Sequence, residues 1–565
     1  MKYINMLFLF CLLLVACKTE VKDVVIQPQG VITKNAMVVS AREEASRIGV
    51  SILQKGGNAF DAMVATEMAL AVAFPYAGNL GGGGFMVYRE ANGTIGCLDY
   101  REKAPMLATK DMYLDSLGKV IKGKSTTGAM AVGVPGTVAG IFAVHEKFGS
   151  LPIGEILSPV IELAKKGVVV TEKQAHRLQK YQEVFNTTNQ EEILFSKKWR
   201  PNDRLVNNGL ANTLERMIKH GRDDFYQGET ASMIVDFIQS NGGVVSMKDL
   251  ANYQAIWREP ITFEYDNLRV ISMAPPSSGG ICLAQIMKAI ESYDLTELGH
   301  NTVSMIQVLT EAERRSYADR SFYLGDPDFV NIPVEDLMSN SYLKGRMHDF
   351  SFEKATKSSA IEHGEIEIIE SNETTHYSIV DAFGNAVSVT TTLNSAYGSK
   401  LYSNDLGFFF NNEMDDFSAK PGEPNVYGLI GAEANAILPQ KRMLSSMTPT
   451  IVEKDGKLWF TAGTPGGSTI ITSVLQTILN IHEFGMGAQE AVSQPRFHHQ
   501  WLPDEIRIEP NGFNQETIAK LTQLGYFINE ENSSVIGKVE VILVRDNGTL
   551  EGGADPRGDD KAVGY

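Results

Sequence analysis

The order of elements along the chain predicts a layered α/β fold. Helical apolar spacing dominates residues 41–74 and most of 150–350. A β-type pattern starts abruptly at Thr375. From there to the C-terminus strands and helices arrive in mixed order, as in folds that stack helices on sheets.

Near the start, Lys2 supplies a positive charge ahead of an apolar run over residues 4–16 whose one polar member is Asn5. That run is too short to span a bilayer and suits the core of a signal peptide. It ends in Leu14-Val15-Ala16-Cys17, which resembles a bacterial lipobox, the motif in which the cysteine is acylated. Residues 1–16 are therefore read as a lipoprotein signal peptide and 17–30 as a tether. The expected location is outside the cytoplasm, lipid-anchored to a bacterial membrane and facing the periplasm. The plainer alternative is a secretion signal with an incidental cysteine.

Residues 37–74 read as a helical hairpin broken at Gly56-Gly57-Asn58, with a second helix over 61–74 so apolar that it must be buried. Gly81 to Gly84 form a four-glycine turn. Residues 85–88 and 95–100 then read as paired strands around Ala91-Asn92-Gly93. Residues 150–350 are mostly helical by period. Residues 353–372 are polar and charged, and they end at Glu373-Thr374, as a cleavable junction would. Beyond it, residues 375–380 and 386–393 form two strands around a turn at 381–385. Residues 408–410 are a buried strand, 449–460 a hairpin turning at Lys454-Asp455-Gly456, 469–484 a helix behind Gly466-Gly467, and 539–544 a last strand.

Composition narrows function. With 51 Lys+Arg against 68 Asp+Glu the net charge is −17, which disfavours nucleic acid, whose phosphates need a basic face. Of the four cysteines, Cys11 leaves with the signal and Cys17 is the lipidation candidate. Cys97 and Cys282 are expected to be separate buried thiols, because one sits in a strand-like run and the other in a helix-like one. His498-His499 lacks a third ligand at metal spacing, so packing is the expected role. Gly81 to Gly84 lacks the Lys-Ser/Thr of a phosphate loop and reads as tight packing.

A threonine becomes a nucleophile when a base accepts its proton. A chain N-terminus supplies one, because a free α-amine titrates near ~8. Thr374 could have such an amine only after cleavage before it. Around it stand Thr374-Thr375-His376-Tyr377, Thr392-Leu393-Asn394, Asn411-Asn412-Glu413-Met414-Asp415-Asp416, Leu444-Ser445-Ser446 and Thr464-Pro465-Gly466-Gly467. Upstream lie Gly78-Asn79-Leu80-Gly81, Asp99-Tyr100-Arg101-Glu102 and Pro275-Pro276-Ser277-Ser278. Pro495-Arg496-Phe497-His498 and Asp555-Pro556-Arg557 follow. In these blocks the chain resembles the γ-glutamyltranspeptidases among the N-terminal-nucleophile hydrolases, from about residue 30 onward.

The resemblance implies a four-layer αββα sandwich and self-cleavage between Glu373 and Thr374, giving a large subunit (31–373) and a small one (374–565) that share one fold. It makes Thr374 the nucleophile and Thr392 its hydroxyl partner. Gly466 and Gly467 become the backbone donors to the oxyanion. Arg101, Ser445 and Ser446 become ligands of a γ-glutamyl α-carboxylate, and Asn394, Glu413 and Asp416 ligands of its ammonium. Asn425 and Tyr427 fall in a Gly/Pro-containing stretch, 421–431, that resembles the family's lid. No metal or organic cofactor is implied. The implied partners are glutathione and other γ-glutamyl compounds as donors, and water, amino acids or peptides as acceptors. Two readings compete with this one: an acylase of the same fold acting on glutaryl or cephalosporin side chains, and an inactive anchored binding protein.

Overall fold

A computed structural model describes residues 29–361, 374–418, 420, 432–531 and 535–565. The expectations for the signal segment, Cys11, Cys17, Glu373, Asn425 and Tyr427 lie outside these residues.

Two seven-stranded antiparallel sheets form the centre. The first runs Lys561–Gly564, Met37–Ser40, Thr375–Val380, Ala386–Thr392, Gly83–Arg89, Ile95–Asp99, Ile256–Arg258. The second runs Val31–Thr33, Leu550–Ala554, Glu540–Val544, Lys457–Gly463, Thr450–Lys454, Leu268–Ser272, Ile261–Tyr265.

Period-2 alternation divides each strand between two apolar layers. Met37, Val39, Phe85, Val87, Ile271, Ile451 and Ile542 meet in a core between the sheets. Their neighbours Val38, Met86, Tyr377, Ile379, Val387 and Val389 face helices that include Glu43–Gln54, Ala59–Ala73 and Thr137–Phe148. Val270, Val452 and Val541 face Gly279–Ile290, Val303–Tyr323 and Thr469–His482 on the other side. The result is the four-layer αββα sandwich. Because both faces of these strands are covered, they read as continuous apolar runs rather than as clean alternation.

Every residue of Ala59–Ala73 is buried. Asn58 and Asp61 close a capping box at its start, and Asp381 in the 381–385 turn accepts from Ala59 N at 2.8 Å, which ties the helix to the central hairpin. The Lys454 hairpin turns at Asp455 and Gly456, both with positive φ (52° and 74°). Cys97 and Cys282 are separate buried free thiols; burial pushes the Cys282 thiol up to about 11.

Two sequence expectations need correction. Residues 37–40 form a strand rather than the start of a helix: the β-branched pair Val38-Val39 fits the pleat between Lys561–Gly564 and Thr375–Val380. The mostly helical region 150–350 also contains the strands Ile256–Arg258, Ile261–Tyr265 and Leu268–Ser272, which edge both sheets. Thr262, Phe263, Val270 and Ile271 carry the β signal there, and the helical spacing on either side of so short a stretch masked it.

The four glycines are not a free turn. Gly83 and Gly84 open a strand that pairs with Thr392 and Thr391. A Cβ on Gly82 would lie 2.1 Å from the Thr392 carbonyl oxygen, so only glycine allows this approach. Gly82→Ala should therefore lower the midpoint of thermal inactivation, costing about 1–3 kcal/mol as overpacking does. It should also reduce activity, because the displaced backbone is that of Thr392. A variant with wild-type stability and rate would contradict this packing.

Candidate active site

The site forms where the two central strands open at one end. Thr375 pairs with Thr391, which puts Thr374 beside Thr392. Their hydroxyl oxygens are 3.4 Å apart, and Thr374 is 5% exposed. Asn394 N donates to Thr392 Oγ1 at 2.8 Å. Asn79 Nδ2 holds the Thr392 carbonyl at 2.9 Å. The neighbouring threonines have structural partners, Thr391 Oγ1 donating to Gly83 O and Thr390 meeting His376 Nδ1.

Arg101 follows the strand Ile95–Asp99. Its backbone N–H donates to Asp99 Oδ1 at 2.9 Å and its carbonyl accepts from Tyr253 Oη at 2.7 Å. Its guanidinium is 1% exposed. Nη1 lies 2.6 Å from Glu413 Oε2 and 3.5 Å from Glu102 Oε2, and Nη2 lies 2.5 Å from Asp416 Oδ2. Glu413–Asp416 is a short 3-10 turn held by Asn411, whose amide bridges Gly81 O, Gly133 O and Glu413 N. Asn394 adopts a left-handed backbone (φ 73°), a conformation asparagine tolerates, and donates to Asn412 O at 3.0 Å.

Two cations, Arg101 and Arg320, against the three carboxyl groups leave excess negative charge in the empty site. Burial pushes Glu102 up to about 8 and drives Glu413 well above the usual carboxylate range, although Arg101 opposes both shifts. Burial also raises Asp416. An ammonium group of a ligand would relieve this imbalance.

Across the cleft, Gly466 (φ 145°) and Gly467 (φ 56°) precede the helix Thr469–His482. Among the described residues neither glycine N–H has an acceptor. Lys538 N donates to Thr464 Oγ1, and Tyr317 Oη donates to Ser468 O, so the turn is held from both flanks. Two unused N–H groups at a helix N-terminus can hold a developing oxyanion. Ser445 sits beside Ser277, its N–H donating to Pro276 O at 3.0 Å.

These groups line one cleft: Arg101, Arg320, Thr374, Thr392, Asn394, Glu413, Asp416, Ser445, Ser446, Met447, Gly467 and Ile470. Gly466 stands directly behind Gly467. Arg320, Met447 and Ile470 were missed from sequence. Arg320 lies on Val303–Tyr323, a helix buried from Met305 to Ser321 despite carrying Glu311, Glu313, Arg314, Arg315 and Asp319. That density of charge reads as a solvated face, and its burial comes only from the layers packed on both sides.

Asp415 is structural, accepting from Ser125 Oγ at 2.5 Å. His498 packs behind the glycine turn, 2.8 Å from Thr472 Oγ1 and 2.9 Å from Gln500 Oε1, and burial lowers it to about 3. His499 contacts Asp504 and receives the Trp501 N–H. Among the described residues no group of three or more His, Cys, Asp or Glu is placed to hold a metal ion.

Behind the strands, Tyr377 Oη donates to Glu67 Oε2 at 2.6 Å, and burial pushes Glu67 up to about 7. A carboxyl group whose folded pKa is raised favours the folded state at low pH, and that contribution is lost as pH rises through the folded value. The ligand-free protein should therefore lose thermal stability from about pH 4.5 up to about pH 8, where the unfolded chain has released protons that folded Glu67 (pushed up to about 7) and Glu102 (pushed up to about 8) still hold. Glu67→Gln should flatten the lower part of that decline. Melting curves with the same slope in wild type and variant would count against it.

Comparison with known proteins agrees with this geometry. A family model described as Gamma-glutamyltranspeptidase matches residues 45–565. The glutathione hydrolase proenzyme of Escherichia coli (strain K12) is 46% identical over 537 residues, covering 94% of this chain and 92% of that one. The crystal structure of Helicobacter pylori γ-glutamyltranspeptidase superposes with a TM-score of 0.57 at 41% identity, over 58% of this chain and 96% of that one. The cephalosporin acylase from Bacillus halodurans shares the fold at a TM-score of 0.84 and 24% identity, over 95% of this chain and 97% of that one. The chain belongs to the γ-glutamyltranspeptidase family.

Proposed function

We propose that this protein is a self-processing γ-glutamyl hydrolase and transferase acting on glutathione and related γ-glutamyl amides. The observation that carries the reading is the layout of the cleft. A threonine at a strand start shares the cleft with Gly467, one of a glycine pair whose N–H groups have no acceptor among the described residues, and charges of both signs sit beside it. A γ-glutamyl group has the matching parts: a carbonyl to attack, and an α-carboxylate and α-ammonium to anchor it.

Processing comes first. The Thr374 hydroxyl attacks the Glu373 carbonyl, the acyl group shifts from nitrogen to oxygen, and water hydrolyses the ester. Glu373 leaves with a carboxylate and Thr374 gains a free amine. Residues 31–373 and 374–565 remain together as a heterodimer, because each sheet is built from strands of both.

In turnover the Thr374 amine takes the hydroxyl proton as the oxygen attacks the γ-amide carbonyl. Gly466 and Gly467 donate to the oxyanion, and Thr392 orients the attacking oxygen. The amine then passes the proton to the leaving nitrogen, which departs and leaves a glutamyl ester on Thr374. Water, or the amine of an amino acid or peptide, attacks that ester and regenerates the enzyme.

Arg101, Ser445 and Ser446 hold the α-carboxylate. Asn394, Glu413 and Asp416 hold the ammonium, which is why acidic groups crowd Arg101 in the empty cleft. Export and anchoring through an acylated Cys17 are supported by the apolar run and the lipobox-like end of residues 4–17.

A substrate pair tests the specificity. The enzyme should cleave a γ-glutamyl anilide and leave a glutaryl anilide, which lacks the α-amine, nearly untouched. Asp416→Asn should narrow that preference by raising KM for the γ-glutamyl compound. Equal rates on both anilides would favour an acylase. Gly467→Ala puts a side chain where φ is positive and moves a donor, so kcat should fall about 10²-fold or more, with a smaller change in KM. Wild-type kcat in that variant would remove the oxyanion role.

A further inference from the structure

Arg320 is 3% exposed and lines the cleft, yet among the described residues no carboxylate lies within ion-pair distance of it. Its partners are hydroxyls. Nε donates to Ser278 Oγ at 2.8 Å and Nη2 donates to Ser446 Oγ at 3.0 Å. A buried cation whose direct partners are only neutral hydroxyls, with Asp416 acting on it from beyond ion-pair distance, is costly, so an anion is expected to complete it.

The polarity of these bonds says where that anion sits. A guanidinium only donates, so both serine oxygens must accept from it. Each hydroxyl then has one hydrogen left to place. Ser278 gives its hydrogen to Ser445 O at 2.8 Å. Ser446 Oγ has no second partner among the described residues, and it faces the cleft. Ser445 behaves in the same way, its Oγ accepting the Met447 N–H at 3.2 Å. The cleft wall is thus wired to accept from within and donate outward. Arg101, by contrast, is already shared by Glu413 and Asp416.

We propose that Arg320 is a positioning residue for the substrate's α-carboxylate: by donating to Ser446 Oγ it directs the Ser446 hydrogen into the cleft. This rests on the γ-glutamyl reading of the site and deepens it. Tyr317, one turn earlier on the same helix, holds the Ser468 carbonyl. One buried helix therefore braces both the carboxylate wall and the glycine turn.

The test uses the processed enzyme as wild type, Arg320→Gln, Ser446→Ala and the double variant, with two substrates. One is a γ-glutamyl anilide. The other is 4-aminobutyryl anilide, which keeps the amine and lacks the carboxylate. Each single variant should raise KM for the γ-glutamyl anilide about tenfold, as expected for a lost hydrogen bond to a charged group, with kcat moving less. The double variant should be no worse than Ser446→Ala, because the arginine acts through that hydroxyl. Rates on 4-aminobutyryl anilide should be unaffected relative to wild type.

A loss of equal size on both substrates, or a double variant whose defects multiply, would overturn the proposal. If Arg320→Gln does not fold or process, Arg320→Lys carries the test, since it keeps the buried charge; it should show the same substrate-selective rise in KM. L-glutamate binding by calorimetry separates the two levels of inference. Wild type that binds glutamate while Arg320→Lys binds it equally well sinks only the role of Arg320. Wild type that neither binds glutamate nor cleaves the γ-glutamyl anilide sinks the reading of the cleft and this proposal with it.

Discussion

The register of one buried hairpin governs the rest. Thr375 to Val380 pair with Thr391 back to Ala386, at the centre of a sheet covered on both faces. A slip by one residue would exchange Tyr377 and Ile379, which face the helices, for residues that face the second sheet. It would also part Thr374 from Thr392. The turn at 381–385 pins the register at one end, where Asp381 accepts from Ala59 N. The glycines at 82–84 pin it at the other, where the backbone comes too close for any side chain. Polar links across the sheet interface, such as Ser388 Oγ to Ala462 O and Ser378 Oγ to Thr461 Oγ1, fix the second sheet to the first. Through Lys457–Gly463 they carry that alignment to Gly466 and Gly467.

The second constraint is electrostatic. Arg101 and Glu413 line the cleft with Glu102 beside them, all three almost fully buried, while Asp416 keeps 12% of its side chain exposed and Arg320 lines the same cleft. Such a cluster adds little to stability, because desolvation offsets most of its attraction. Its value is selectivity. A ligand bearing both an anion and a cation can satisfy it, while a ligand with one of the two leaves a buried charge unpaired. Burial, with the neighbouring carboxyls adding to it, raises Glu102 and Glu413 in the empty site. Substrate binding and proton release are therefore linked.

Much of this was legible in the sequence, for reasons that differ by element. The central hairpin announced itself through apolar runs flanking Asp381 to Asn385, and the helix 59–73 through an apolar run that could only be buried. The candidate residues on separate segments were legible as motif blocks, since no local pattern brings Arg101 to Glu413 or Ser446 to Thr374. Residues 37–40 and the three strands at 256–272 were misread or missed because short strands carry too few residues to outweigh a helical neighbourhood. Arg320 was missed for a different reason. Its helix carries charge on every face, which signals solvent, and only the layers packed around it turn that charge inward.

The claim on which the account turns is that Thr374 becomes a chain N-terminus. Intact-mass analysis of the purified protein, wild type beside Thr374→Ala, tests it most directly. The account predicts two wild-type fragments that meet at Glu373 and Thr374 and co-purify, and a single uncut chain in the variant. A wild type that stays uncut yet hydrolyses γ-glutamyl amides would contradict it, because the proposed nucleophile would then have no amine to take its proton.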